Sequence, residues 1–499
     1  MNKLKYYMGK IPCKQNVGVL FLGIISLAVW SIGLLKKDFN IALVGLLLLY
    51  GINVLYGIKN FSKSFLYLFM QITIFTFLLS RSFIGLCRGT EWWNTASQAK
   101  ENIWFALKLL FLTETALLVG SNLADRIYRT KKAINKKHED TSNMAEAMRI
   151  VSFMIFLVSM FFYLLEQFEP VLAIGTGNYL EYYTNFTSKL PGIVHTAASF
   201  MKYSLCIFLA TLPSKKMAIM PLILYVFSTL PSLLIGVRNP FVLSLFFALS
   251  YFLLRDYLVD DKKWIGKVEK GIIIICTPLL MLFMVVYASV RSGAGIKIGN
   301  FLGMISEFFY SQGVSFDVLC IGYGYTSGLK NLKPVNYTFG GIIDYLYRGS
   351  VGQTIFHTEP LTSYNSIFNA ENSNSLSHAL SYLSMKDQYL EGRGRGSSYL
   401  LEVATDFGFI GVFIFSVLLG ALLLYMVYGF GKKMLVNTII LACLQNIFFI
   451  PRAEATGWLT FIVTLQFWMC VAGCYFCVYW WQKWKLSEWF KDHVKRRRK

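Results

Sequence analysis

Long apolar runs alternate with short polar connections along most of the chain. Crossing a hydrocarbon core of about 30 Å as a helix takes about 20 apolar residues, so each run is a candidate transmembrane span. The pattern predicts an all-α polytopic membrane protein with about twelve spans. They cover approximately residues 16–35, 39–56, 64–86, 103–123, 148–165, 194–212, 217–235, 240–259, 271–290, 407–430, 434–450 and 458–481.

One connection is much longer than the others and separates the ninth span from the tenth. The pattern therefore divides the chain into an N-terminal bundle of nine spans (1–290), a loop or cap with interfacial helices (291–406), three C-terminal spans (407–481) and a basic tail (482–499). We expect function to reside mainly in the long loop, whose asparagines and aromatic residues suit a carbohydrate. The same composition also fits an ordinary interfacial loop.

Composition and charge support this picture: 55% of the residues are apolar and only 15% are charged, which excludes an ordinary soluble enzyme. The net charge of +21 is scattered over short loops, so topology and anionic lipid explain it better than nucleic acid. Every second connection is basic, which predicts two cytoplasmic termini and an extracytoplasmic long loop.

Three arginines lie where an apolar run ends on the outer side: Arg238, Arg291 and Arg452. Burying an arginine near a membrane costs up to about 2.5–3.5 kcal/mol, and outer loops are otherwise poor in arginine. The set favours a shared anionic ligand, although binding to lipid headgroups would also explain it. Around Arg238, Gly236–Pro240 forms a tight turn that sets the guanidinium beside a helix N-terminus.

A second candidate motif is Glu391–Ser398, which places Arg393 and Arg395 between alternating glycines. Glycine allows the backbone to approach a ligand closely, and the following Glu402 and Asp406 fall on one helical face. These carboxylates could act on a ligand, or they could only complement the helix dipole and pair with the arginines.

His378 lies in the same external segment. A neutral imidazole there could act as general base toward a sugar hydroxyl, although a lone histidine is more often a surface hydrogen bonder. No pattern predicts a metal site or a cofactor.

At these motifs the sequence resembles the Wzy-type polymerases of O-antigen and capsular polysaccharide repeat units. The resemblance is carried by Ser375–His378, Gly392–Tyr399, Glu402 and Asp406–Gly411, and the turn at Gly236–Pro240 is similar to theirs. The arrangement of predicted spans and the one long loop is similar over most of the chain. The motifs themselves cover only a short part of it.

The resemblance implies a GT-C-like glycosyltransferase of the bacterial cytoplasmic membrane, with its active site on the extracytoplasmic face. Its substrates would be oligosaccharide repeat units on undecaprenyl diphosphate, joined without a metal or a nucleotide sugar. A flippase and a chain-length regulator are possible partners. Arginines would stabilise the departing diphosphate. We assign this role first to Arg238 and Arg291, with Arg393, Arg395 and Arg452 as candidates, Asp406 in the substrate site, and His378 or Glu402 as the base.

Two alternatives stay open at this stage. A flippase for the same lipid-linked sugar is favoured by Glu114, because a carboxylate inside a predicted span often marks an ion path. Pairing with Lys108 or Arg81 would instead make Glu114 structural. An O-antigen ligase-like enzyme would share the architecture and the donor but use another acceptor.

Overall fold

The computed structural model describes the backbone of residues 13–93, 99–132, 142–177, 179–258, 263–291, 301–332 and 335–497. Within these ranges the secondary structure is helical, without strands. Among the described residues, ten helices are long and apolar enough to cross a membrane, or eleven if a bent pair near the C-terminus counts as one span. The first helix contributes a shorter apolar stretch, Phe21–Lys36, over its described part.

The first half of the chain forms a bundle of long helices joined by short turns. Its helices are α1 (Cys13–Lys36), α2 (Phe39–Lys59), α3 (Phe61–Ile74), α4 (Ser80–Cys87), α5 (Lys100–Lys132), α6 (Ser142–Ile174), α7 (Tyr179–Thr184), α8 (Gly192–Ala210), α9 (Lys215–Ser228), α10 (Leu230–Ile235), α11 (Asn239–Leu258) and α12 (Lys267–Arg291). A π-helical turn, Phe75–Leu79, joins α3 to α4.

Short helices fill the predicted long loop, and long helices follow it. They are α13 (Phe301–Gln312), α14 (Ser315–Gly324), α15 (Thr326–Asn331), α16 (Gly340–Arg348), α17 (Ser350–Phe356), α18 (Ile367–Asn372), α19 (Leu376–Met385), α20 (Asp387–Leu390), α21 (Tyr399–Gly429), α22 (Met434–Leu444) and α23 (Leu465–Arg497), with 3₁₀ segments at Ile447–Arg452 and Gly457–Val463.

The core of the bundle depends on close packing of α5 against α21. A Cβ on Gly120 would lie 1.9 Å from the carbonyl oxygen of Val417, and one on Gly420 would lie 2.4 Å from that of Leu117. Any larger residue at either glycine would separate the two backbones. Small residues at helix crossings are how membrane helices gain contact without a hydrophobic driving force between them.

The connections fall into two groups that meet at opposite ends of the bundle. At one end the predicted basic connections touch: Lys215 Nζ donates to the carbonyl of Trp264 at 2.7 Å, and the Arg255 guanidinium donates to that of Pro213 at 2.7 Å. At the other end the long segment contacts the connection after α6, where Asn365 N donates to the carbonyl of Tyr183 at 3.0 Å. The alternation of charge along the sequence therefore separates two ends in space.

Candidate functional site

The helical stretch α21 reverses direction near its beginning. Gly408 has φ 65° and ψ −163°, a conformation that is essentially restricted to glycine. The rings of Tyr399 and Phe415 lie 5.5 Å apart, whereas the same stretch of straight helix would separate them by about 24 Å. Gly408 therefore divides α21 into a first limb, residues 399–407, and a second limb, residues 409–429. The first limb folds back against the second, and its N-terminal end lies inside the bundle. The predicted tenth span, 407–430, nearly coincides with the second limb. The buried first limb belongs to the segment that was predicted to be a loop.

A second interruption lies between α22 and α23. Two 3₁₀ segments, Ile447–Arg452 and Gly457–Val463, replace the α-helix there, and the helix axis bends by 55° at the start of α23. Pro451 has no N–H to donate to a preceding carbonyl, which disfavours a regular α-helix at this point. Irregular backbone at membrane depth is stable only where it is buried in protein or lines a polar cavity.

The two interruptions meet at Glu402. Its carboxylate accepts a hydrogen bond from the Ser397 hydroxyl at 2.6 Å and another from the backbone N–H of Ala455 at 2.7 Å. The side chain is fully buried. Glu402 thus connects the first limb of α21 to the turn between the two 3₁₀ segments, and both of its oxygens are engaged by protein donors.

Asp406, one turn later, binds the outer segment to the same junction. Its Oδ2 accepts from the backbone N–H of Thr338 at 2.7 Å and from the hydroxyl of Thr338 at 2.6 Å. The carbonyl of Thr338 in turn accepts from the Thr456 hydroxyl at 2.6 Å. Glu402 and Asp406, which were predicted to share one helical face, therefore form hydrogen bonds with two different parts of the chain, at Ala455 and at Thr338.

The glycine-rich turn lies directly before the first limb. Gly392 and Gly396 have φ of 87° and 78°, and a Cβ on Gly392 would approach the carbonyl oxygen of Leu180 to 2.7 Å. Arg393 and Arg395 are exposed at this turn. The backbone N–H of Arg395 donates to Ser381 in α19 at 2.9 Å, which fixes the turn against that helix.

His378 is held in α19 by Tyr389, whose hydroxyl lies 2.8 Å from its Nδ1. Because the Tyr389 hydroxyl donates to the carbonyl of Ser366 at 3.2 Å, the histidine must supply the proton of the shared bond. This tautomer leaves Nε2 with a lone pair. Burial lowers the pKa of His378, so the ring stays neutral at neutral pH.

Arg238 follows the turn at Gly236, which has φ 114° and ends α10. The side chain is half-buried, and it immediately precedes the N-terminus of α11. The N–H of Gly177 donates to the carbonyl of Leu234 at 2.8 Å, so this turn contacts the connection after α6. Arg291 ends α12, but its side chain lies outside the described residues.

Arg452 ends the first 3₁₀ segment and faces α13 and the π-helical turn. Its Nη1 lies 3.5 Å from the carbonyl oxygen of Gln312, and its guanidinium carbon lies 5.7 Å from the centre of the Phe77 ring. Among the predicted residues, the structure therefore brings His378, Arg393, Arg395, Glu402 and Asp406 into one network around the interrupted helices. The turn that carries Arg238 adjoins this network through Gly177 and Leu180, whereas Arg452 contacts Gln312 and Phe77.

A family model described as "O-antigen polysaccharide polymerase Wzy" matches residues 17–485, nearly the whole chain. The chain belongs to the Wzy O-antigen polymerase family. This membership confirms the sequence-based resemblance and the role in O-antigen polymerisation, a glycosyltransferase-type activity, in a multi-pass membrane protein. No curated protein and no solved structure gives a significant match to this Wzy-family chain.

Two more arginines of this Wzy-family chain lie near Arg452, a position that the sequence did not predict for either of them. Arg81 forms an ion pair with Asp317 at 3.0 Å and lies 4.9 Å from the centre of the Tyr310 ring. Arg88 lies 5.3 Å from the same ring. The alternative in which Arg81 pairs with Glu114 is wrong, because the Arg81 guanidinium pairs with Asp317 instead. Residue spacing gave no signal for this ion pair, because Arg81 and Asp317 belong to segments far apart in sequence.

Two further carboxyl groups, Asp344 and Glu454, lie near the candidate site of this Wzy-family chain. Asp344 accepts from the backbone N–H and the side-chain amide of Asn374, at 2.8 and 2.7 Å. Burial raises the pKa of Asp344, and Glu454, in the turn between the two 3₁₀ segments, lies close enough to interact with it. The candidate site therefore combines exposed arginines with half-buried carboxyl groups, and the neighbouring asparagines add further polar groups.

Proposed function

We propose that this protein joins undecaprenyl-diphosphate-linked oligosaccharide repeat units at the outer face of the cytoplasmic membrane. The growing chain would leave its lipid diphosphate and bond to a hydroxyl at the non-reducing end of the next lipid-linked unit. The observation that carries this proposal is the junction of two interrupted helices at Glu402 and Ala455, next to the arginine-bearing turn 392–396. Interrupted helices line substrate sites in other membrane proteins.

The outer location rests on the distribution of charge. The connections that meet at the Lys215 end are rich in lysine and arginine, which is typical of the cytoplasmic side. The candidate site lies at the other end. We infer that both termini are cytoplasmic and that the site opens toward the periplasmic or cell-wall side.

The arginines suit a reaction with a diphosphate leaving group. Guanidinium groups bind phosphate oxygens through paired N–H donors and stabilise the charge that develops as the diphosphate departs. We assign this role to Arg238 and Arg291, with Arg393, Arg395 and Arg452 as further candidates and Asp406 as a group that positions the substrate. Because fixed arginine cations would stabilise the diphosphate, the GT-C-like mechanism that we propose needs no metal ion.

The acceptor side needs a group that receives a hydroxyl proton. The sequence-based candidates for this general base are His378 and Glu402. The neutral Nε2 of His378 can accept a hydrogen bond from an acceptor hydroxyl, whereas both oxygens of Glu402 already accept protein donors. We therefore propose an acceptor-binding role for His378 and a positioning role for Glu402.

Reconstitution tests the proposal. Purified protein in liposomes would receive lipid-linked repeat units, which would be isolated from cells that lack this protein. The products would then be separated by size. A ladder of longer lipid-linked products is expected. Units that cross the bilayer without lengthening would contradict a polymerase and establish a flippase.

A flippase is the second candidate, because Glu114 is fully buried in α5. The Gln71 side chain lies beside its carboxylate, no cation pairs with it within the described part of the chain, and Lys108 on the same helix is exposed. A carboxyl group at this depth is a common proton or ion site in carriers. The large outer segment with its exposed arginines favours the polymerase.

A further inference from the structure

One carboxylate oxygen at the junction of the interrupted helices lies against two glycines. A Cβ on Gly341 would lie 3.1 Å from Oε2 of Glu454, and one on Gly457 would lie 3.3 Å from the same oxygen. A side chain at either position would crowd this oxygen, so the two glycines leave room beside it. Glu454 itself is only half-buried, so it is not sealed inside the bundle.

Glu454 differs from the other carboxyl groups of this region in its partners. Each of the others accepts a hydrogen bond from a backbone N–H: Glu402 from Ala455, Asp406 from Thr338 and Asp344 from Asn374. Such a bond stabilises the charged form and makes the carboxylate a poorer base. The side chain beside the Glu454 carboxylate is that of Ser375, whose hydroxyl can both donate and accept. This contact can therefore persist whether or not Glu454 carries a proton.

Helix α19 places Glu454 relative to other groups assigned to the reaction. Ser375 is the N-cap of this helix, and its side chain makes no capping hydrogen bond. His378 and Ser381 follow at intervals of three residues, so each is the neighbour of the one before on the helix surface. The hydroxyl of Ser381 accepts from the backbone N–H of Arg395 at 2.9 Å. One side of α19 therefore runs from Glu454, past the histidine proposed to bind the acceptor, to the arginine-bearing turn.

A second connection brings the same two parts together. Ala455, the residue after Glu454, donates its N–H to Glu402 at 2.7 Å. The Ser397 hydroxyl, directly after the arginine-bearing turn, donates to the same carboxylate at 2.6 Å. The backbone next to Glu454 and the end of the turn 392–396 therefore lie on two sides of one buried side chain.

The spacing along α19 suits a displacement at the anomeric carbon of a sugar. Ser375 and Ser381 are six residues apart, which is about 9 Å along the helix axis. In a displacement with inversion, the base and the leaving group lie on opposite faces of the sugar ring, and the two carboxyl groups of inverting glycosidases are about 6.5–9.5 Å apart. A donor sugar between Glu454 and the arginine-bearing turn would have its diphosphate at the arginines and its other face toward Glu454.

Proton uptake is also easier for Glu454 than for His378. Nδ1 of His378 faces the hydroxyl of Tyr389, so an imidazolium formed there would have no carboxylate on this nitrogen to stabilise it. A carboxylate that takes a proton becomes neutral instead. Proton transfer to Glu454 therefore adds no cation to a region that already holds arginines.

We propose that Glu454 is the general base of the glycosyl transfer, an inference that rests on the proposed polymerase function. Its Oε2 takes the proton of the acceptor hydroxyl while the oxygen of that hydroxyl bonds to the anomeric carbon of the donor sugar. The bond from that carbon to the lipid diphosphate breaks, and the diphosphate leaves with the electron pair. Glu454 then gives its proton to water, and His378 binds the acceptor without removing the proton.

The test compares Glu454→Gln with Glu371→Gln in liposomes that receive lipid-linked units from cells that lack this protein. Glutamine keeps the shape of the side chain but cannot take the proton. General bases contribute about 10²–10⁴-fold, so Glu454→Gln should lower kcat by that range with little change in KM. Glu371→Gln, at an exposed carboxylate of the outer segment, is the matched control and should leave both constants unchanged. His378→Gln should act mainly on KM.

Two further variants separate catalysis from a structural role. Glu454→Asp keeps a carboxylate on a shorter side chain and should retain more of the rate than Glu454→Gln. Added formate should restore part of the rate of Glu454→Ala, which a merely structural carboxylate would not allow. The unfolding midpoint in detergent shows which variants are folded.

Three outcomes would overturn the assignment while the polymerase function stands. They are a nearly wild-type rate in folded Glu454→Gln, a lower rate in folded Glu454→Asp than in Glu454→Gln, and no effect of formate on folded Glu454→Ala. If the wild-type protein itself makes no ladder, the polymerase function fails instead.

Discussion

The carboxylate of Glu402 and the backbone N–H of Ala455 are joined by a hydrogen bond of 2.7 Å, which connects two interrupted helices inside the bundle. The residues are far apart in sequence, and each belongs to a segment that leaves regular helical geometry. An unpaired N–H at this depth would have no water to bond. The bond therefore explains how the 3₁₀ turn and the first limb of α21 are stable together.

Glu402→Ala should destabilise this junction. The substitution leaves the N–H of Ala455 and the hydroxyl of Ser397 buried without their acceptor, which costs about 1–3 kcal/mol for each such group. We expect a lower midpoint of thermal unfolding in detergent and shorter polymer. Glu391→Ala, at an exposed carboxylate before the same turn, serves as control and should leave both unchanged. An unaltered unfolding midpoint in Glu402→Ala would refute the structural role.

Arg238→Ala should abolish lengthening while the protein still inserts into the membrane. Loss of a fixed cation beside the leaving diphosphate removes stabilisation that exists mainly in the transition state, so kcat should fall more than KM changes. Arg291→Ala should behave in the same way. The measurement is the size distribution of lipid-linked products, with insertion checked by membrane fractionation. Near-normal polymer from both variants would remove them from the site.

Glu114→Gln discriminates the polymerase from a carrier. Glutamine keeps the shape of the buried side chain and cannot carry a proton across the bundle, so a polymerase should keep most of its rate, whereas a proton-driven flippase should stop. Polymer length and transbilayer movement of lipid-linked units, measured in the same liposomes, give the answer. Loss of movement with intact folding would favour the carrier.

Gly408→Ala should weaken the reversal in α21. A side chain at φ 65° and ψ −163° is strained by about 1–3 kcal/mol. The unfolding midpoint and the polymerisation rate should both fall. Gly473→Ala, in regular helix with nothing within 4 Å of the added Cβ, is the control and should be neutral or slightly stabilising. Equal effects of the two substitutions would contradict the special role of Gly408.

The sequence by itself determined the membrane class, most of the spans, the two groups of connections and the turns at Gly236 and Gly392. These features depend on local apolar length, on charge counts and on the conformational freedom of glycine, all of which can be read along the chain. The family followed from the motifs around His378 and Arg393 for the same reason, since those residues are close together in sequence.

Only the tertiary structure decided how distant segments pair. The reversal at Gly408 buries Glu402, which the hydropathy pattern had left in the loop before a span, and its two hydrogen bonds join two distant segments. The approach of Glu454 to Ser375 requires the turn between the two 3₁₀ segments to pack against α19. Hydrogen bonding between segments far apart in sequence depends on packing in three dimensions, which residue spacing along the chain does not encode.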